Sequence, residues 1–278
     1  MKVEPEQETR LPPILRNKRP EADSVFTPEA LLREARRQKG LQAGSVPEIC
    51  ILDPDGDIVA HLVAEGRATR SSAWACYHTD LHVFDENGQA YGIVGQAVGA
   101  AFAVLVAEQL FASGCRLLIS IASAGRIAET SLPSYFVVDR ALRDEGTSYH
   151  YLPPADYSLA DARLVDAARD ALRRGGMPAE VGATWTTDAP YRETATAIDA
   201  ARSEGVLAVE MEAAALCAFA SARRRPVICI AHVTNEMGQI EGDFEKGAAN
   251  GASTSLEVID LIARGCHVAS LSLGNSAE

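Results

Sequence analysis

Apolar positions along this chain alternate between two patterns. Short runs that are apolar throughout, rich in Val, Ile and Leu, are each followed by a longer stretch with helical spacing. ICILD, with 50–53 as its body, ends at an acidic Pro/Gly turn before IVAHLVAEG. YGIVGQAV leads into AAFAVLVAEQLFASG, where Gly114 is a helix stop. LLISIAS (117–123) and YFVVDRAL (135–142) read as strands. An amphipathic helix is expected from Leu159 to Arg174, halted by Gly175 and Gly176. GVLAVEM precedes the helical AAALCAFASARR, and PVICIAHVTN precedes a final helix expected from Asp243 to Arg264. Ahead of all this, residues 1–27 are rich in Pro and charge. Thr27 as N-cap, Pro28 and Glu29 then open a helix running to Gln38.

Strands that are apolar on both faces and alternate with helices belong to a sheet covered on both sides, an α/β domain. No repeat and no linker-like stretch divides the chain beyond residue 48. In such sheets ligands collect at strand ends, beside the loops that enter helices, so those loops are where chemistry is sought.

Composition narrows the function. Apolar residues make up 47% and charged residues 23% of the 278, enough for a sizeable core. Lys plus Arg number 26 against 38 Asp plus Glu, a net charge of −12, which excludes a nucleic-acid partner. A small anionic substrate is not excluded, because a few local donors outweigh a global charge. The six cysteines are scattered without a C-x-x-C pair, as expected of reduced thiols in a cytoplasmic protein. MKVEPEQETR lacks the apolar core of a signal peptide. The longest unbroken apolar tract, Ala97 to Ala107, is shorter than the roughly 20 residues of a membrane span. A soluble protein with no membrane partner is expected.

The segment Val209-Glu210-Met211-Glu212-Ala213-Ala214-Ala215-Leu216 joins an apolar strand to an apolar helix. While the backbone stays extended, Glu210 and Glu212 project to one face. Two carboxylates aimed together require a metal, a proton or vicinal hydroxyls, and a sugar diol suits acceptors that donate nothing. One of the two also suits the N-terminus of the following helix. The spacing His78-x-Asp80-x-His82 resembles a metal pair but has no third ligand, so no metal is expected.

V-E-M-E-A-A-A-L resembles the signature of the nucleoside phosphorylase family that includes purine nucleoside phosphorylase and uridine phosphorylase. Three more stretches extend the likeness in order along residues 48–264. Thr187-Asp188-Ala189-Pro190-Tyr191 is similar to the family's base-side loop. Asp144-Glu145-Gly146-Thr147-Ser148-Tyr149-His150-Tyr151 is similar to the D-G-x-S-x-H-aromatic stretch of the uridine branch. Ile119 to Gly125 ends where the family has a G-S/T-x-G turn. The resemblance implies a three-layer αβα sandwich around a mixed sheet. It divides the chain into an N-terminal arm and helix (1–46), a catalytic domain (47–266) and a tail (267–278). The implied activity is cleavage of a nucleoside's N-glycosidic bond by phosphate, releasing the base, in a homodimer or hexamer with no cofactor besides phosphate. It implies that Met211 and Glu212, and more loosely Glu210, hold the ribose, and that Asp188, Tyr191 and Arg192 lie on the base side. Asn235 then stands where the purine branch has an acid. Its amide donates to a carbonyl or ring nitrogen and favours an oxo-substituted base, although an Asn there also simply ends a strand.

The chain departs from the family at the phosphate site. Where the family has P-G-D-P-x-R, this chain has Leu52-Asp53-Pro54-Asp55-Gly56-Asp57-Ile58, and Ser120 stands where an Arg precedes the later turn. Three aspartates repel a dianion. The site is therefore rebuilt on Ser123, Gly125 and the arginines Arg126, Arg140 and Arg143, or it is lost. If lost, water replaces phosphate and Asp55 or Asp57 is the candidate base, unless D-P-D-G-D is an ordinary acidic turn. A third alternative is a non-catalytic relative that binds a nucleoside-like ligand.

Overall fold

The computed structural model describes residues 11–129, 134–237, 241, 243–244 and 246–274, with side chains up to residue 266. An isolated short 3-10 turn at Pro13–Leu15 precedes helix α1 (Pro28–Lys39). That helix starts as its sequence dictates: the Thr27 hydroxyl accepts from the Ala30 N–H at 3.2 Å, Pro28 fills the first turn, and Gly40 ends it at φ 65°. The elements that follow are β1 (Ile49–Asp53), α2 (Asp57–Ala64), β2 (Ala68–Arg70), β3 (His82–Glu86), β4 (Gln89–Gly95) and α3 (Ala100–Ala112). Next come β5 (Leu117–Arg126), β6 (Tyr135–Asp144), β7 (Tyr157–Leu159), α4 (Ala162–Arg174), β8 (Val181–Thr187) and α5 (Ala195–Ser203). The chain continues with β9 (Val206–Glu210), α6 (Ala213–Arg223), β10 (Val227–Asn235) and α7 (Ala252–Gly274).

These strands form one mixed sheet. β1 lies parallel between β4 and β5, and β4, β3 and β2 continue as an antiparallel wing. On the other side, β5, β10, β6, β8 and β9 pair in turn, and β9 returns to β5, so five strands close a ring. Helices α3 and α6 cover one face, packed on Leu52, Leu118 and Ala208. Helices α2, α4 and α7 cover the other, on Ile51, Ile119 and Ile230. A single α/β domain is thus what the apolar runs foretold, and its central mixed sheet is what the resemblance implied.

The differences from expectation are local. The amphipathic stretch splits: Tyr157–Leu159 is a strand, and α4 starts only after Asp161 caps it, accepting from the Arg163 N–H at 2.9 Å. The 78–82 segment reads as a strand in sequence, but only His82 lies in one. The last helix starts at Ala252 rather than Asp243 and runs past residue 264 to Gly274. Its start is delayed by a turn in which Gly247, Ala249, Asn250 and Gly251 all have positive φ (87°, 51°, 53° and 78°). Strands β2 and β8 and helix α5 had no clear signal, being short or rich in Thr, Gly and Ala.

Gly251 is the tightest point of that turn. A Cβ there would lie 2.6 Å from His232 Cε1 and 2.9 Å from the Lys246 carbonyl oxygen, at a backbone angle that L side chains avoid. Gly251→Ala is expected to destabilise the protein by about 1–3 kcal/mol, read from the midpoint of urea unfolding. An unchanged midpoint would show that the turn relaxes freely.

Candidate active site

One edge of β5 changes partner along its length. Its first half pairs with β1 through Leu117–Ser120, and its end pairs with β9 at Gly125 and Arg126. β1 and β9 therefore diverge beside residues 121–124, and the gap between them is the kind of crevice in which α/β sheets bind ligands. The ends of β1, β4, β5, β9 and β10 all supply groups around it.

β9 ends at Glu210, and the chain turns at Met211 so that Glu212 (φ −130°, ψ −36°) is the residue before α6. The two carboxylates consequently do not share a strand face. Glu210 accepts from the Thr186 hydroxyl at 2.5 Å and from the N–H groups of Glu212 and Ala213, both at 2.7 Å. The capping alternative thus fits Glu210, whose carboxylate is committed to the start of α6 rather than to a ligand. Glu212 reaches across the gap and accepts from the Gly99 N–H at 2.6 Å. Burial first, then the Glu210 carboxyl beside it, push the Glu212 carboxyl up to about 8, toward the protonated form, which has a donor to offer as well as an acceptor.

The β5–β10 side is more closed than its sequence suggested. Ser123 and Thr234 bond to each other through their hydroxyls. Gly125 is covered: a Cβ on it would lie 2.5 Å from Met237 Sδ and 3.0 Å from Asn235 Oδ1. Asn235 is oriented by its own turn, with Nδ2 donating to Thr234 Oγ1 at 3.1 Å and Oδ1 accepting from the Met237 N–H at 2.9 Å. One amide proton remains for a ligand.

The expected arginines have other partners. Arg126 alternates to the opposite side of β5 from Ser123 and Gly125, and pairs with Glu236. Arg140 pairs with Asp139 and lies over the Tyr157 ring. Arg143 is buried, donating to Ser148 Oγ (2.8 Å) and to the carbonyls of Pro153 (2.7 Å) and Leu152 (3.3 Å), with its guanidinium on the Tyr149 ring. Arg140 and Arg143 are therefore both engaged around the β6–β7 connection. In the loop after β8, where the base side was expected, Asp188 accepts from the Gly146 N–H at 2.8 Å. Tyr191 is 98% exposed and Arg192 is exposed beside it, so neither lines an enclosed pocket within this chain.

The acidic turn holds a cation that the sequence reading missed. Lys246 Nζ donates to Asp55 Oδ2 and Asp57 Oδ2, both at 2.7 Å, and Asn250 Nδ2 donates to Asp57 Oδ1 at 3.2 Å. Asp53 is not part of this cluster. It accepts from the N–H groups of Gly56 (3.2 Å) and Val59 (3.0 Å), closing the turn into α2, and burial pushes it up to about 7. His232 stacks on Tyr135 and is held down to about 4 by burial and by Lys246, so it is neutral. Lys246 gave no signal because it falls in the stretch expected to open the last helix, where the structure has an irregular turn instead. Thr186 and Thr234 looked like ordinary strand positions. Among the described residues, no group of three His, Cys, Asp or Glu is placed to hold a metal ion, and no helix is long and apolar enough to cross a membrane.

Residues 48–264 match the family model described as Phosphorylase superfamily. The chain belongs to this family. It is 26% identical over 229 residues to a DeoD-type purine nucleoside phosphorylase of Brevibacillus brevis, covering 80% of this chain and 94% of the relative. It is 25% identical over 234 residues to a uridine phosphorylase of Thermococcus kodakarensis (73% and 83% covered). A guanosine phosphorylase of Halorubrum lacusprofundi is 28% identical over 233 residues (78% and 88%). The fold is that of the purine nucleoside phosphorylase of Toxoplasma gondii solved with immucillin-H, with a TM-score of 0.66 at 18% identity over 80% of this chain and 91% of that one.

The raised Glu212 has a thermodynamic consequence. Its native value lies above the ordinary 4.5, so the native state binds the extra proton between those two values. Stability from this group is complete at low pH and is lost as pH rises through about 8. Urea unfolding between pH 5 and pH 9 is expected to show this loss, and Glu212→Gln, which keeps an acceptor for Gly99, is expected to flatten it. Parallel curves for the two proteins would place the proton elsewhere.

Proposed function

We propose that this protein cleaves the N-glycosidic bond of a ribonucleoside, with phosphate as the acceptor, giving free base and ribose 1-phosphate. The observation that carries this reading is Glu212. It is a buried carboxyl at a helix start, bonded to Gly99 across the gap in the sheet, where it can meet the ribose 2′- and 3′-hydroxyls with Met211 beside it. The relatives' names, purine nucleoside, uridine and guanosine phosphorylase, support the reaction class and differ in the base.

Chemically, the protein positions the sugar and stabilises the departing base while positive charge grows on the ring. Asn235 is the group for the base. Its Oδ1 is held by the Met237 N–H and one amide proton by Thr234, which leaves the second proton to donate. It cannot protonate the base, but it donates to an oxo group or ring nitrogen, which favours bases such as uracil or hypoxanthine. No cofactor besides phosphate enters this scheme. We also propose a homo-oligomer, dimer or hexamer, in which a second copy covers the exposed Tyr191 ring.

The Asp55–Lys246–Asp57 cluster favours a second reading, hydrolysis. One lysine shared between two carboxylates leaves a net negative charge, which disfavours a dianion and favours the uptake of a proton. In that case a water oxygen bonds to C1′, its proton passes to Asp55 or Asp57, and the base leaves with the C1′–N electron pair.

A panel of nucleosides incubated with and without phosphate separates the readings. Phosphate-dependent cleavage with ribose 1-phosphate as product is expected. Equal cleavage without phosphate, giving free ribose, would establish hydrolysis. No cleavage of any nucleoside would leave a binding protein. Glu212→Ala is expected to lower kcat/KM by about 10- to 100-fold, the worth of a hydrogen bond to a charged or strongly polar group.

A further inference from the structure

Helix α6 begins where β9 ends, and its first N–H groups have no partner within the helix. Water cannot serve them, because Glu212, Ala213 and Ala214 are all buried. The residue before a helix ordinarily caps it, its own side chain accepting from the second or third helical N–H. Glu212 holds that place and makes no such bond. Its carboxyl accepts instead from the Gly99 N–H at 2.6 Å, across the gap. The cap has passed to other side chains.

Those side chains are Glu210 and Thr186. The two are register partners in the parallel pair β8–β9, so they stand side by side on one face of the sheet. Glu210 Oε2 accepts from the N–H groups of Glu212 and Ala213, both at 2.7 Å. The Thr186 hydroxyl completes the cap. It accepts from the Ala214 N–H at 2.8 Å and donates its own proton to Glu210 Oε1 at 2.5 Å. Only a group that both donates and accepts can do this, and a hydroxyl is such a group. Burial pushes Glu210 toward its neutral form, and the Thr186 bond, with the two N–H bonds, opposes that. Thr186 is itself fully buried, so it acts through these neighbours.

We propose that Thr186 is a positioning residue of the site: by capping α6 together with Glu210, its hydroxyl leaves the Glu212 carboxyl free to cross the gap to the place given to the sugar. The competing placement is close at hand. Ala214 is the second residue of the helix, and its N–H, once orphaned, draws the side chain of the residue before the helix, which is Glu212. The carboxyl then folds back onto its own helix and releases Gly99. Thr186 therefore decides where Glu212 points rather than whether the helix exists, since α6 is also held by Phe219 against Phe111 of α3. That Glu212 meets a ribose diol rests on the N-glycosidic reading; the direction of its side chain does not.

Substitutions at Thr186 test this. Thr186→Val keeps the shape and removes both bonds, Thr186→Ser keeps the hydroxyl, and Thr186→Cys offers a thiol that donates and accepts weakly. Amide hydrogen exchange at Gly99 reports the direction of Glu212 without any substrate. It is expected to quicken about tenfold or more in Thr186→Val, to stay at the original rate in Thr186→Ser, and to fall between in Thr186→Cys. The second readout is the ratio of kcat/KM for a ribonucleoside to that for its 2′-deoxy counterpart. Thr186→Val is expected to lower this ratio about tenfold and Thr186→Ser to restore it, whereas a loss of stability alone slows both substrates equally. Should Thr186→Val not fold, Thr186→Cys against Thr186→Ser decides by the same two readouts. Gly99 exchange that is equal in all these proteins overturns the proposal. So does a Thr186→Ser protein that behaves like Thr186→Val, or an unmoved ratio in an enzyme that prefers the ribonucleoside. Quickened exchange in Thr186→Val, with an original protein that cleaves no nucleoside or shows no such preference, upholds the placement of Glu212 by Thr186 and removes the sugar reading instead.

Discussion

Everything at the candidate site depends on one strand changing partners. β5 cannot pair with β1 and β9 over the same residues, so it gives Leu117–Ser120 to one and its last two residues to the other. The ring of five strands includes this strand, and β1 with the three-stranded wing extends from it, so the gap follows from geometry rather than from any side chain. Backbone groups left facing a gap need partners. The Gly99 N–H finds one in Glu212, which ties the wing side to the ring side across the opening. A buried carboxyl with a backbone donor on one side and space on the other is a structural tie and a ligand site at once.

Charge is arranged around the gap by burial as much as by pairing. Asp53, Glu210 and Glu212 are buried, and desolvation shifts all three toward the protonated form despite their hydrogen bonds. Asp55 and Asp57 are more exposed and are instead bridged by Lys246. The β1 turn is therefore far less negative than its five-residue sequence implies, though it still gives a dianion no net attraction. Burial of Lys246 works against its charge, and the two aspartates more than offset that.

Much of the architecture could be read in the chain before any coordinates. Strands β1, β5, β6, β9 and β10 are apolar on both faces, and only a doubly covered sheet explains that. The site was legible where a motif coincided with a strand end, as at Val209 to Glu212. It failed where the outcome hung on a single backbone turn. Two glutamates at spacing two share a face only if the strand continues, and it stops at Glu210, so one carboxylate turned into the helix and the other into the gap. Arg140 and Arg143 were near the site in sequence, yet local carbonyls, a hydroxyl and two tyrosine rings claim them. Lys246 was invisible because its partners lie 191 and 189 residues away, in the turn after β1.

The turn that delivers Lys246 shows how such a site is sustained. Ala249 and Asn250 both sit in the left-handed region, between Gly247 and Gly251, and a strained run of this kind persists only if its surroundings over-determine it. The restraints are visible on both sides. Tyr135 reaches the Gly251 carbonyl at 3.3 Å and Ser255 Oγ at 3.1 Å, His232 stacks beneath, and Asn250 is bonded to Asp57. Relaxing the turn into a regular helix from Asp243 onward would remove Lys246 from between the aspartates and leave two like charges unshielded beside Glu212. The acidic turn and the strained turn therefore stabilise each other, and neither is explained alone. In a fold that hosts many chemistries, such a mutual dependence between two loops is what gives this chain a site of its own on a shared scaffold.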